Sequence, residues 1–164
     1  VVAGLSNLMD NPQKSTYSIM QLLKFAIDTH TQYSIHLNKK IQFELNGFTE
    51  CYTTQYLAIL SMLNNVLSNA VEAIDEHGNI TIHVKEVDDE LHFIIENNGP
   101  AIQPDNLNIL FDAGFTTKFD LKGNASTGIG LYHVQSIVKS LGGTIHVTSD
   151  ETTKFYLTVN KQLL

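Results

Sequence analysis

Two strand-like runs, ITIHVKEV (80–87) and ELHFIIEN (90–97), are separated only by the acidic pair Asp88-Asp89. A connection this short turns a strand back antiparallel, because a parallel return needs a crossover of a dozen or more residues. The rest of the chain therefore has to be arranged around a sheet. Upstream, STYSIMQLLKFAIDTH places Ile19, Leu22, Leu23, Ala26 and Ile27 at helical spacing, with Ser15 or Ser18 as the cap. SIHLNKKIQFEL alternates through Ile35, Leu37, Ile41, Phe43 and Leu45, which predicts one or two strands before a turn at Asn46-Gly47. A long helix is expected from about Gln55 to Glu76, with Leu60, Leu63, Leu67, Val71 and Ile74 as its stripe and Gly78 as a left-handed cap. Downstream come a short helix near Asp105 to Leu110, a helix in TGIGLYHVQSIVKSLGG (127–143), and the strands GTIHVTSD and TKFYLTVN. Helices segregated from strands fit a mixed, mostly antiparallel sheet better than repeated βαβ units. The expected fold is α+β, a two-layer α/β sandwich whose sheet is covered on one face by helices. Residues 1–14 read as a lead-in and 15–164 as one domain.

The size supports this. With 164 residues and 43% hydrophobic content, the chain can bury a single core. A formal net charge of −7 argues against a broad nucleic-acid footprint. The lone Cys51 forms no internal disulfide, which points to a reducing compartment; TECYTTQY gives it no activating neighbour for a catalytic role. No run approaches the about 18 apolar residues that cross a bilayer. The start at Val1, without methionine, reads as that of a fragment with further segments upstream.

Four segments carry candidate chemistry. In LNNVLSNAVEA, Asn65 and Asn69 are four apart and share one helix face. Amide oxygens are hard ligands suited to Mg²⁺, although two asparagines also suit a solvated face. In IIENNGPAI, Asn97 and Asn98 stand where a strand ends, followed by Gly99, Pro100 and Ile102. A planar heterocycle could lie against Ile102 while a side-chain amide reads its edge; a plain turn is the alternative. LFDAGFTTK spaces Phe111 and Phe115 four apart within an irregular excursion, either as anchors of a flap or as cover for a peripheral cluster. GNASTGIGL opens a helix with Gly128 and Gly130, leaving unpaired N–H groups accessible to an anion.

Taken in this order, the four segments resemble the ATP-binding catalytic domain of bacterial sensor histidine kinases, within the class that includes gyrase, heat-shock chaperone and mismatch-repair ATPases. NVLSNA is similar to the asparagine box, NNGPAI to the first glycine box, FDAGFTTK to the phenylalanine box and GNASTGIGL to the second glycine box. The wording of NAVEAI and FTTK is nearest to sensors of citrate, dicarboxylates or glutamine. The resemblance implies ATP and Mg²⁺ as cofactors, with Asn65 and Asn69 holding the metal and phosphates. It further implies that Asn97 faces the adenine beside Gly99 and Ile102. Phe111, Phe115 and Thr116 would belong to an ATP lid running to Thr127. Gly128, Ile129, Gly130 and Leu131 would meet the phosphate chain. Two residues depart from the first glycine box: Asn97 stands where Asp is usual, and Ala101 where glycine is. Glu72 stands where many kinases have Lys or Arg, a contact that Lys118 or Lys122 would replace.

By the same resemblance, ATPases of the class carry Glu at the place of Asn65. An amide cannot accept a proton at neutral pH, so catalysis by Asn65 and Lys118 would favour phosphoryl transfer over hydrolysis. Seven histidines are present, none in the acceptor-helix pattern of the family. His83, His92 and His146 fall on strands and read as face residues, and no compact His/Cys spacing suggests zinc. The expected partners are a histidine-bearing dimerisation domain before Val1 and a response regulator, without nucleic acid or membrane contact. The expected place is the cytoplasm, as part of a membrane-anchored sensor. The competing expectations are a degenerate nucleotide-binding or docking module and an anti-sigma-type serine kinase.

Overall fold

The computed structural model describes residues 15–112 and 130–164. The chain begins with β1 (Tyr17–Ser18), α1 (Ile19–His36), β2 (Lys40–Gly47) and β3 (Tyr52–Thr53). It continues through α2 (Tyr56–Ala73), β4 (His77–Val87), β5 (Glu90–Asn97) and the short α3 (Pro104–Leu107). It ends with α4 (Gly130–Ser140), β6 (Ile145–Ser149), β7 (Thr153–Asn160) and a 3-10 turn. Five strands form one sheet in the order β2-β4-β5-β7-β6, and β1 and β3 form a small separate pair. Among the described strands only β2 and β4 run parallel, with α2 as the crossover between them; the other pairs are antiparallel. The mixed two-layer sandwich expected from the sequence is the fold observed.

Alternation sets the two faces of the sheet. Ile82, Ile95 and Phe155 lie in one cross-strand row, and Val84, Phe93 and Leu157 in the next. All six are at most 2% exposed, packed beneath residues of α1, α2 and α4 such as Leu23, Leu67 and Val138. Full burial of side chains this size is worth about 1.5–3 kcal/mol each, which is why a one-residue slip of register is excluded. The opposite face carries His83, Ile94, Tyr156 and His146 in one row, with the last two rings stacked at 4.5 Å. A polar-leaning face opposite an apolar one is what a single helical layer leaves.

Four expectations are corrected. Ile35 and Leu37 are not strand residues: Ile35 lies in the last turn of α1 and Leu37 is its cap. The helix stops because Asn38 adopts φ 60°, a left-handed conformation that asparagine tolerates. The long helix ends at Ala73 rather than Glu76, since Ile74 turns extended to bury itself in the core and β4 already pairs with β2 from His77. Gly78 is thus a strand residue rather than a left-handed cap. A Cβ there would lie 2.7 Å from Asn98 Oδ1, so close packing is what it serves. The short helix is Pro104–Leu107, ending before Leu110. Of the two candidate caps, Ser18 accepts from the Gln21 N–H at 3.4 Å.

Candidate functional site

A cleft of about 380 Å³ opens between the C-terminal half of α2, the segment after β5 and the start of β7. Asn97, the last residue of β5, is 2% exposed and lies between Ile80 and Thr153 in the sheet. Its Oδ1 accepts the Gly99 N–H at 3.0 Å, an Asx-turn that bends the chain out of the sheet. Gly99 passes so close to α2 that a Cβ there would sit 2.9 Å from the Ala73 carbonyl oxygen. Beyond Pro100, the Ile102 N–H donates to Ser149 Oγ at 2.8 Å, and that hydroxyl pairs with Thr153 Oγ1 at 2.6 Å. Ala101, Ile102 and Leu110 supply apolar wall around this end. An apolar slot closed by an amide and a hydroxyl suits a planar ring with a polar edge.

The other end stands on α2. Asn69 and Glu72 line the cleft from one helix face. One turn earlier, Asn65 Nδ2 donates to the Ser61 carbonyl at 2.7 Å, so its Oδ1 is the end directed away from its own helix. That oxygen lies 2.9 Å from where a Cβ on Gly130 would be, which places it at the N-terminus of α4. His133, one turn into α4, pairs with Ser61 Oγ at 3.1 Å and ties the two helices. Bare backbone at a helix N-terminus favours an anion, and amide oxygens beside it favour a hard cation. Among the described residues no group of three or more His, Cys, Asp or Glu converges, so a cation here would rely on such amides.

A polar seam holds α2 against α1. Tyr33 donates to Glu72 Oε2 at 3.0 Å, and Lys39 Nζ to the Val71 carbonyl at 3.0 Å. Burial, and then the charge of Glu72, hold the Tyr33 phenol above its ordinary range. His30 is buried, with Nδ1 2.8 Å from the Ala26 carbonyl and Nε2 2.9 Å from Ser68 Oγ. The carbonyl can only accept, so Nδ1 carries the proton and Nε2 accepts from Ser68. Burial lowers the pKa of His30 below the usual 6.5, which keeps the ring neutral.

The structure therefore brings Asn69, Asn97 and Ile102 into one cleft and sets Asn65 against Gly130. Phe111 and Leu131 pack against the core as partly buried side chains. Phe115, Thr116, Lys118, Lys122, Thr127, Gly128 and Ile129 lie outside the described residues. Sequence reasoning did not place Thr153, Leu110 or Asn106 at the site. Thr153 left no local signal, because only the register of β7 against β5 sets it opposite Asn97.

A family model described as histidine kinase-, DNA gyrase B- and HSP90-like ATPase matches residues 54–163, from just before α2 to the last turn. The chain belongs to that ATPase family. Sensor histidine kinase GlnK of Bacillus subtilis is 37% identical over 147 residues, covering 88% of this chain and 36% of GlnK. Sensor histidine kinase DcuS of Escherichia coli K12 is 30% identical over 124 residues, 74% of this chain and 21% of DcuS. The chain thus spans about a third or less of these curated relatives. The catalytic domain of histidine kinase ThkA superposes with a TM-score of 0.75 at 23% identity, covering 90% of this chain and 97% of that one. Full-length ShkA, solved in complex with AMPPNP, superposes at 0.74 with 19% identity, covering 88% and 30%. The chain is an ATP-binding catalytic domain of the sensor histidine kinase type. Among the described residues no helix is long and apolar enough to cross a membrane.

Proposed function

We propose that the cleft takes ATP with its base at the Asn97 end and its phosphates toward Asn69, Asn65 and the N-terminus of α4. The observation that carries this reading is that Asn69 of α2 and Asn97 of β5 line one cleft. The donor set fits a hard divalent ion: Asn65 Oδ1 is turned away from its own helix and Asn69 lines the cavity. Asn69 and Asn65 would hold Mg²⁺. When bound, that ion supplies charge neutralisation on the phosphate oxygens. Asn65 positions rather than deprotonates, because a carboxamide has no basic site at neutral pH. The γ-phosphorus would part from the ADP oxygen and bond to a ring nitrogen of an acceptor histidine, whose proton leaves to solvent. Lys118, Thr116, Phe115 and Phe111 would close the site as its lid, with Thr127, Gly128, Ile129, Gly130 and Leu131 along the phosphates.

The acceptor histidine would stand on a dimerisation domain outside residues 15–164, and a response regulator would receive the phosphoryl group. Residues 1–14 would then lead into the catalytic domain, placed in the cytoplasm. The complexed nucleotide of ShkA supports the nucleotide part of this reading. Calorimetric titration with a non-hydrolysable ATP analogue in Mg²⁺ and in EDTA tests the site. Labelled ATP plus an acceptor-helix domain then tests transfer, with an acid-labile product expected. An acid-stable product would indicate a serine kinase, and binding without transfer a docking module.

A further inference from the structure

A carboxamide has two unlike ends, and at Asn97 the structure commits one of them. Oδ1 accepts the Gly99 N–H at 3.0 Å. Turning the amide over would set Nδ2 against that N–H, donor against donor, in a turn that packs on the Ala73 carbonyl. Among the described residues Nδ2 has no hydrogen-bond partner, yet it is not a fully buried unpaired atom. Since the side chain is 2% exposed and lines the cleft, the end offered to a bound base is a donor. The adjacent Thr153 hydroxyl is already paired with Ser149 at 2.6 Å, and Ser149 with the Ile102 N–H at 2.8 Å, so these two hydroxyls are engaged with each other and with Ile102 rather than with Asn97.

A purine can meet a fixed donor in two ways. Adenine carries a donor at its 6-amino group and offers only the ring nitrogen N1 as an acceptor on that edge. A 6-oxopurine offers its carbonyl. A carboxylate at this position would accept from the amine and repel the carbonyl. We infer that Asn97 makes this cleft purine-tolerant, so that 6-oxopurine nucleoside triphosphates bind about as well as ATP. The inference rests on the proposed reading of the cleft as a nucleotide site.

Inosine triphosphate isolates the 6-position, because hypoxanthine lacks the 2-amino group of guanine. ATP and ITP are titrated calorimetrically in Mg²⁺ against the wild-type chain and Asn97→Asp, whose carboxylate can keep the Gly99 turn. The wild-type affinities are expected within about fivefold of each other, and Asn97→Asp is expected to shift the ratio toward ATP by more than about fivefold, as a lost or repelled hydrogen bond does. ATP preferred by more than about fivefold in the wild type overturns the inference, as does a ratio that Asn97→Asp moves by less. The wild-type ratio decides alone if that variant does not fold. Failure of both nucleotides to bind overturns the nucleotide-site reading itself, a result separate from ATP-selective binding.

Discussion

At the base end of the cleft, Asn97 and Thr153 occupy paired positions of two antiparallel strands whose register the core rows beneath them set. At the phosphate end, Asn65 and Asn69 stand on a helix held to its neighbour partly by polar links: His30 to Ser68, Tyr33 to Glu72, and Lys39 to Val71. The first end inherits its geometry from apolar burial, which tolerates no slip. The second combines apolar burial, with Val66, Leu67, Ala70 and Val71 of α2 in the core, with hydrogen bonds, some of them to titratable groups. On the proposed reading, recognition of the base would rest on two strands in register, and the grip on metal and phosphate on a helix whose links to its neighbour include titratable groups. Gly99 joins the two, touching Ala73 of α2 and Asn97 of β5 at once.

The largest expected effect falls on that joint. In Gly99→Val a Cβ would lie 2.9 Å from the Ala73 carbonyl and 3.1 Å from Asn97 Oδ1, and two methyls must follow it. Overpacking against backbone should lower stability by about 1–3 kcal/mol in urea denaturation and weaken nucleotide binding as well. Unchanged stability and binding would mean that the two ends are mechanically separate. Next, Asn69→Ala should weaken binding of an ATP analogue by about 10–100-fold in Mg²⁺, the range seen when metal sites lose a support. The same comparison in EDTA should show little difference. Equal loss in both would place Asn69 on the nucleotide rather than on a cation.

How far each end was legible follows from the same contrast. The strands β4, β5 and β7 could be read because alternation such as Leu91, Phe93, Ile95 reports both faces of the sheet locally. Asn69, Asn97 and Ile102 could be singled out because each sits in a short motif, and the structure brings the three into one cleft. Thr153 could not, since only the pairing of β7 with β5 brings it to Asn97. The parallel pairing of β2 with β4 has no local mark either, as it depends on α2 carrying the chain across. Ile35 and Leu37 misled because two apolar residues at a helix end imitate strand alternation. The Tyr33–Glu72 link was invisible for a further reason: neither residue looks unusual until two helices are packed.

That link gives the next test. Tyr33→Phe removes a hydrogen bond to a carboxylate in a half-buried seam and should cost about 1 kcal/mol. It should also alter Mg²⁺-dependent nucleotide affinity while leaving the ATP-to-ITP ratio unchanged, because only the α2 end is disturbed. A change in that ratio would break the division between the ends.

The smallest effect concerns His30. Because burial lowers its folded pKa, the unfolded chain binds the proton first as pH falls below about 6.5. Between that value and the lower folded pKa the unfolded state holds more protons, so stability rises with pH across the window and is lost on acidification. Above the window both states are neutral and the contribution is constant. His30→Gln carries no titrating group, so the stability difference between wild type and variant should shrink as pH drops from 8 toward 5 in urea denaturation. A difference that stays constant over this range would show that His30 takes up its proton without loss of the α1–α2 packing. The phosphate end would then be as insensitive to acid as the sheet.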